Sequence, residues 1–175
     1  MKKKLLALTL ALALALSLAA CGGKNDKAPE TPAETEKTAD LSAFYASLTE
    51  GDKWPALMSL TEDAASTEML DSYYPGLSEI STKQCGVYIA AITSAVGEIA
   101  LVEVENADDV QKVKDILQAR IDAQVGTDDA PGGAWYPETI EGWKNNSRIV
   151  SNGNYVMLIV WDDCDAMVSE FNALF

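Results

Sequence analysis

Aromatic residues crowd into one irregular stretch of the chain, residues 127–146. Trp135 and Tyr136 directly follow a glycine pair and Ala134, and Trp143 lies eight residues after Trp135. Loops on a rigid scaffold commonly carry binding residues, and aromatic rings anchor many interfaces. Trp135, Tyr136 and Trp143 are therefore candidate contacts for a sugar, a peptide or another protein. The alternative is structural: the two tryptophans cover the sheet while Pro137 begins a short helix.

Acidic residues are numerous enough to raise the question of carboxylate or cation chemistry. Asp128 and Asp129, with Asp122 nearby, could offer oxygen ligands to Ca²⁺, although the EF-hand spacing is absent. The aspartates in residues 162–165 precede a predicted helix, where capping alone explains them. We therefore predict no metal, no cofactor and no catalytic residue. A cell-envelope hydrolase that uses carboxylates and a cation-binding domain stay as alternatives.

The overall composition excludes several other classes of chemistry. Histidine is absent, which rules out Ser-His-Asp and Cys-His catalysis and histidine-containing zinc sites. The 175 residues carry 13 Lys and Arg against 27 Asp and Glu, a net charge of −14 at pH 7. Nucleic-acid binding relies on Lys and Arg that neutralise phosphates, so we expect no nucleic-acid partner. A non-enzymatic binding or adaptor domain is the function we favour.

The start of the chain is typical of an exported protein. Three lysines at positions 2–4 precede an apolar run from Leu5 to Leu18, which is shorter than the roughly 20 residues of a membrane-spanning helix. The next residues, Leu18-Ala19-Ala20-Cys21, resemble the lipobox of bacterial lipoproteins. This resemblance implies cleavage before Cys21 and acyl chains on it. We therefore expect a lipid anchor on the extracytoplasmic face of the cell membrane.

The chain divides into three parts at changes in composition. Residues 1–20 are the predicted signal peptide, residues 21–40 the lipidated Cys21 and a disordered tether, and residues 41–175 one domain. The domain contains two more cysteines, Cys85 and Cys164. The sequence leaves open whether they form a disulfide or are two buried free thiols.

The spacing of apolar residues predicts the elements that must position the candidate residues. In chain order we predict a helix from Leu41 to about Gly51, short helices at 54–60 and 66–74, strands at 85–92 and 98–105, a helix at 110–125, an Asn152-Gly153 hairpin from 148, an apolar strand at 155–161, and a last helix after Asp162. The pattern is β-β-α twice. It predicts an α+β domain with a mainly antiparallel sheet of about four strands, short N-terminal helices, and the two long helices on one face. The strand at 155–161 does not alternate, so we expect it to be central and buried on both faces.

Several local strings in this order resemble a known family. They are Tyr74-Pro75-Gly76-Leu77, Glu98-Ile99-Ala100 followed by the Val110-to-Arg120 helix, and Gly153-Asn154-Tyr155-Val156. These strings look like those of domain of unknown function 4358, a family of small bacterial lipoproteins. The resemblance covers roughly residues 40–175 and implies an extracytoplasmic α+β domain. The resemblance provides no catalytic residues that could be transferred to this sequence.

Overall fold

The structure is a computed structural model that describes residues 38–175. The predicted signal peptide, Cys21 and most of the predicted tether lie outside the described residues. Among the described helices, none is long and apolar enough to cross a membrane. The elements are α1 (Leu41–Leu48), β1 (Leu57–Ser59), α2 (Ala64–Tyr73), β2 (Thr82–Ala90), β3 (Glu98–Val104), α3 (Val110–Val125), α4 (Pro137–Asn145), β4 (Ser147–Asn152), β5 (Tyr155–Val160) and α5 (Cys164–Asn172), with short 3₁₀ turns at Leu77–Glu79 and Ala107–Asp109.

The strands form one antiparallel sheet in the order β1-β2-β3-β5-β4. The predicted α+β class and both hairpins are confirmed, and the sheet has five strands instead of about four. The additional strand is β1, which lies where we predicted a short helix, so that prediction is wrong. Leu57 pairs with Ala90 and Ser59 with Tyr88. This pairing satisfies backbone groups along the outer edge of β2 that would otherwise lack partners.

Helices cover both faces of the sheet. On one face, Ala100 and Val102 of β3 pack with Val113 and Leu117 of α3. On the other face, Ile99 and its neighbours pack with α1 and α5. The prediction that the two long helices share one face is therefore wrong. The physical reason is that β3 and β5 are apolar on both sides, so each face needs a helical layer to exclude water.

The two cysteines of the domain are free thiols. Cys85 packs in the core on the α3 side of the sheet, whereas Cys164 packs in the core on the α5 side. The sheet separates the two thiols, so they do not form a disulfide. Burial raises the pKa of Cys85 to about 11, which keeps that thiol protonated and unreactive.

The loop after α3 folds back over the end of that helix. Gly126 ends α3 with φ 69°, and residues 126 and 131 form an isolated bridge. The amide of Gly133 donates to the Ala123 carbonyl at 2.8 Å, and that of Ala134 donates to the Gln124 carbonyl at 3.1 Å. A Cβ on Gly132 would lie 2.2 Å from the Gln124 carbonyl oxygen, so only glycine fits there. These contacts fix the segment that precedes Trp135 against α3.

Candidate ligand-binding site

A buried ion pair joins α3 to the sheet. Arg120 lies on the apolar side of α3, three residues after Leu117, and is 8% exposed. Its Nε and Nη2 donate to the two carboxylate oxygens of Glu98 at 2.8 and 2.9 Å. The Tyr74 hydroxyl also donates to Glu98 Oε1. The carboxylate at the start of β3 is thus held by three hydrogen bonds in a geometry that favours charge-assisted pairing.

The electrostatics of this cluster favour a charged Arg120 and a neutral Tyr74. Burial acts to lower the pKa of Arg120, but its hydrogen bonds to Glu98 and the charge of that carboxylate outweigh burial and raise the pKa above its ordinary value. Burial, together with the charge of Glu98, raises the pKa of Tyr74 well above its ordinary value. Arg120 therefore stays charged and Tyr74 stays a neutral donor near pH 7.

Three aromatic rings surround the guanidinium of Arg120. Its central carbon lies 4.6 Å from the ring centroid of Tyr73, 5.3 Å from that of Trp143 and 5.7 Å from that of Tyr74. Each distance is within the range of a cation–π contact, which compensates part of the solvation that Arg120 loses on burial.

A cavity of about 250 Å³ opens beside the ion pair. It lies between α3, α4, the loop that joins β2 to β3, and residues 133–134. Ligand pockets for drug-sized molecules are typically about 300–1,000 Å³, so this cavity suits a smaller ligand. Its polar and aromatic lining includes Tyr73, Glu98, Arg120, Gln124, Thr139 and Trp143.

Two nitrogen donors on residues that line the cavity have no hydrogen-bond partner among the described residues. Within residues 38–175, no hydrogen bond involves Nη1 of Arg120 or Nε1 of Trp143, although these residues are only 8% and 5% exposed. No fully buried polar side-chain atom of the described residues lacks a partner, so both nitrogens keep some accessible surface. Gln124 lines the same cavity, and its side-chain amide makes no hydrogen bond to another described residue. The cavity therefore offers donors to a ligand.

Local contacts of α4 bring Trp143 to the cavity. Pro137 occupies the first turn of α4, and Thr139 Oγ1 donates to the Tyr136 carbonyl at 2.8 Å and accepts from the Tyr136 amide at 3.3 Å. One turn later, a Cβ on Gly142 would lie 2.9 Å from Val96 Cγ2. The absence of a side chain at position 142 thus lets α4 approach the loop between β2 and β3.

Comparison with known proteins identifies the family of this chain. A family model described as domain of unknown function (DUF4358) matches residues 56–161, which is more than half of the chain. The chain belongs to the DUF4358 family. No curated protein and no solved structure matches it. The matched segment of this DUF4358 domain includes Tyr74, Glu98 and Arg120 together with the whole of α4.

The three predicted binding residues occupy different positions around the cavity. Trp143 forms part of its wall, whereas Trp135 is 85% exposed and Tyr136 is 50% exposed. Ile92, which lines the cavity, is 58% exposed. Trp135 and Tyr136 directly follow the lining residue Ala134 in the chain, so each large apolar side chain that is exposed in residues 38–175 either lines the cavity or belongs to a residue next to the lining in sequence. The alternative that both tryptophans cover the sheet is therefore correct for Trp143, which packs in the core on the α3 side, but not for the exposed Trp135.

Sequence reasoning missed the ion pair of the DUF4358 domain. The available signal was a charged residue within an apolar stripe: Arg120 follows Val113 by seven residues and Leu117 by three, on the face that helical spacing assigns to the core. Glu98 similarly begins an apolar strand whose seven residues are all buried. The strings that resemble the family contain Tyr74, Glu98 and Arg120, although no role was assigned to those residues.

The acidic candidates lie elsewhere in the DUF4358 domain. Asp128 and Asp129 are exposed in the loop after α3. Asp162 accepts a hydrogen bond from Asn146 at 2.9 Å, and Asp165 pairs with Arg148 at 2.7 Å. Among residues 38–175, no group of three His, Cys, Asp or Glu side chains is placed to hold a metal ion. These positions therefore give no support to the cation-binding alternative.

Proposed function

We propose that this protein is a lipid-anchored extracytoplasmic binding domain, without enzymatic activity, that recognises its ligand at the cavity beside Arg120 and Trp143. The observation that carries the proposal is the pair of unpartnered nitrogen donors, Arg120 Nη1 and Trp143 Nε1, on nearly buried residues that line one cavity. Both nitrogens keep some accessible surface, so a ligand in this open cavity can supply the acceptors that the protein does not.

The lining of the cavity favours binding over hydrolysis. Glu98 is the one carboxylate among the lining residues, and hydrogen bonds from Tyr74 and Arg120 hold both of its oxygens. Glycoside hydrolysis typically requires two carboxylates on either side of the scissile bond, one as an acid and the other as a base or nucleophile. The lining supplies neither the second carboxylate nor a free one, which leaves the hydrolase alternative without a specific observation in its favour.

The position at which the chain enters the domain is compatible with a tether. The amide of Ala39 donates to Tyr155 Oη at 3.2 Å, and that of Leu41 donates to Gln84 Oε1 at 2.9 Å. Gln84 Nε2 in turn donates to the Ala39 carbonyl at 2.8 Å. These contacts lie near the start of β2 and on the α5 side of the sheet, whereas Glu98 lies opposite the end of β2 and on the α3 side. A tether joined at Ala39 therefore enters far from the cavity.

The anchor is tested by intact mass and cell fractionation of the native protein. We expect membrane association and a mass that corresponds to residues 21–175 plus acyl chains. Cys21→Ser should release the protein from the membrane, while Cys85→Ser, the matched control, should leave both the mass increment and the membrane association in place. A soluble, unacylated wild-type product would contradict the anchor.

Binding at the cavity is tested by photo-cross-linking in host cells. A photoreactive amino acid replaces the exposed Trp135 in one variant and the exposed Glu170 of α5 in a matched control. We expect a specific adduct from position 135, and none from position 170. Equal labelling from the two positions, or no adduct from position 135, would contradict a binding role for this surface.

A further inference from the structure

We propose that the cavity recognises the acetamido group of an uncharged N-acetylated sugar. This inference rests on the proposed function and adds the chemical class of the ligand. Four observations support it. Two nitrogen donors lack partners among residues 38–175, and the charge of Arg120 is balanced by Glu98. The cavity is small and partly apolar, and exposed aromatic residues follow the lining residue Ala134 in the chain.

The unpartnered donors require an acceptor on the ligand. Arg120 Nη1 and Trp143 Nε1 both carry N–H groups and no lone pair, so they can pair only with an oxygen or another acceptor. The guanidinium carbon lies 5.3 Å from the indole centroid, which is close enough for one small ligand to reach both side chains. An amide carbonyl oxygen has two lone pairs and can accept from both donors.

The charge balance favours a neutral acceptor over an anion. Arg120 is the one cationic residue of the lining, and Glu98 already forms a bidentate pair with it. A carboxylate or phosphate in the cavity would meet the charge of Glu98 at close range, in a chain whose net charge is −14. A carbonyl oxygen receives the same hydrogen bonds without that repulsion.

The remaining lining fits a secondary amide with a small apolar substituent. The Gln124 side chain offers a carbonyl oxygen that can accept the ligand's amide N–H. Ala90, Ala95 and Ala134 contribute small apolar surfaces that suit a methyl group. The volume of about 250 Å³ accommodates such a group and part of one sugar ring, but not a large ligand.

The surroundings of the opening favour a sugar over an amide on a peptide. Trp135 and Tyr136 follow the lining residue Ala134 in the chain and are 85% and 50% exposed. A pyranose ring presents one face of C–H groups that can stack on an exposed aromatic ring. An N-acetylated sugar combines this face with the acetamido group that the cavity requires.

The experiment is ligand-observed saturation-transfer NMR on the full-length protein in a sugar-free detergent. The probes are N-acetylglucosamine, glucose, N-acetylalanine methylamide and inorganic phosphate. We expect N-acetylglucosamine to bind, with the strongest saturation at its acetamido methyl, while glucose gives a much weaker signal. Trp143→Phe, which removes the indole N–H but keeps a ring, should weaken binding by roughly two- to tenfold. Trp161→Phe on the other face is the matched control and should leave binding unchanged.

Four results would overturn the inference. Equal binding of glucose would show that the acetamido group is not recognised. Binding of the peptide amide alone, or displacement by phosphate, would assign the cavity to another ligand class and leave the proposed binding function standing. No binding of any probe would also overturn the sugar class. The binding function itself is tested separately by cross-linking from position 135, and a specific adduct there would leave it standing.

Discussion

Arg120 of α3 and Glu98 of β3 face each other through two parallel N–H···O hydrogen bonds of 2.8 and 2.9 Å, although 22 residues separate them along the chain. This pair fixes the C-terminal half of α3 against the sheet and keeps one wall of the cavity polar. A buried ion pair is in itself weak evidence for stability, because desolvation offsets much of the attraction between the charges. In the proposed function the pair has a second role in recognition, because Arg120 also carries a nitrogen donor without a partner among the described residues.

Removing one partner of the ion pair should destabilise the protein strongly. Arg120→Met leaves Glu98 buried without its cation, and we expect a loss of about 3–5 kcal/mol in the free energy of unfolding. Arg120→Met combined with Glu98→Met should recover a large part of that loss, since no unpaired charge then stays buried. Urea unfolding of the two variants measures both effects. Additive losses in the double variant would contradict the pairing.

The two tryptophans of the site should differ sharply in their contribution to stability. Trp135→Ala removes an exposed side chain, so we expect a change within about 0.5 kcal/mol. Trp143→Ala removes a side chain that is 5% exposed and should cost about 3–5 kcal/mol. Denaturant titration of both variants provides the comparison. A large loss for Trp135→Ala would mean that this residue packs in the fold and is not available to a ligand.

Gly142 should be necessary for close packing of α4. An added methyl group would lie 2.9 Å from Val96 Cγ2, so Gly142→Ala must displace either the Val96 side chain or α4 itself. Overpacking of this kind costs typically about 1–3 kcal/mol, which outweighs the better helix propensity of alanine. Gly51→Ala serves as a comparison at an open site, where the cost comes from its φ of 91° alone. Unchanged thermal stability in Gly142→Ala would contradict the packing of α4.

Glu103 should contribute a pH-dependent part of the stability. Burial acts to raise its pKa, but hydrogen bonds from Gln84 and neighbouring side chains outweigh burial and lower the pKa. A carboxylate whose pKa is lower in the folded state stabilises the protein above the unfolded value of about 4.3, and this stabilisation is lost as the pH falls through the folded value.

Glu103→Gln tests this dependence by urea unfolding between about pH 3 and pH 7. The variant should be less stable than wild type near neutrality, and the difference should shrink as the pH falls below about 4.3. The exposed Glu105→Gln is the matched control and should follow wild type. A difference between wild type and Glu103→Gln that stays constant across this range would rule out the proposed linkage.

The free thiols give a further test of the arrangement of the sheet. Cys85 and Cys164 pack on opposite faces, so a reducing agent should leave the melting temperature of the domain unchanged. Both thiols should react with an alkylating agent mainly after unfolding, because burial raises the pKa of each thiol and Cys164 is only 2% exposed. Mass spectrometry before and after denaturation counts the labelled cysteines. A reduction-dependent shift in melting temperature would contradict the placement of these residues.

The sequence predicted the elements with strong periodic patterns and missed those that depend on tertiary contacts. The helix at 110–125 and the Asn152-Gly153 hairpin carry local signals of spacing and turn chemistry. The strand Leu57–Ser59 is too short for a periodic pattern and forms because the edge of β2 is available. The face to which each helix docks is likewise not a local property, which explains the error about the two long helices.

The candidate site was only partly predictable for the same reason. Trp135, Tyr136 and Trp143 could be selected as aromatic residues in an irregular segment, but their different exposures depend on how α4 docks. Arg120 and Glu98 lie on separate elements, and nothing local links them. A charged residue in an apolar stripe indicates a buried polar group, but the partner becomes evident only when the sheet brings the two together.

Binding at the cavity is tested most directly by the indole N–H signals of the four tryptophans in ¹⁵N NMR spectra of the full-length protein. Soluble cell-envelope material from the host is the titrant. Trp143 lines the cavity and Trp135 follows the lining residue Ala134, whereas Trp54 and Trp161 stack on each other at 4.4 Å against the core of the opposite face. We predict that the signals of Trp135 and Trp143 shift while those of Trp54 and Trp161 stay in place. No shift at Trp143, or equal shifts of all four signals, would contradict a binding site at the cavity.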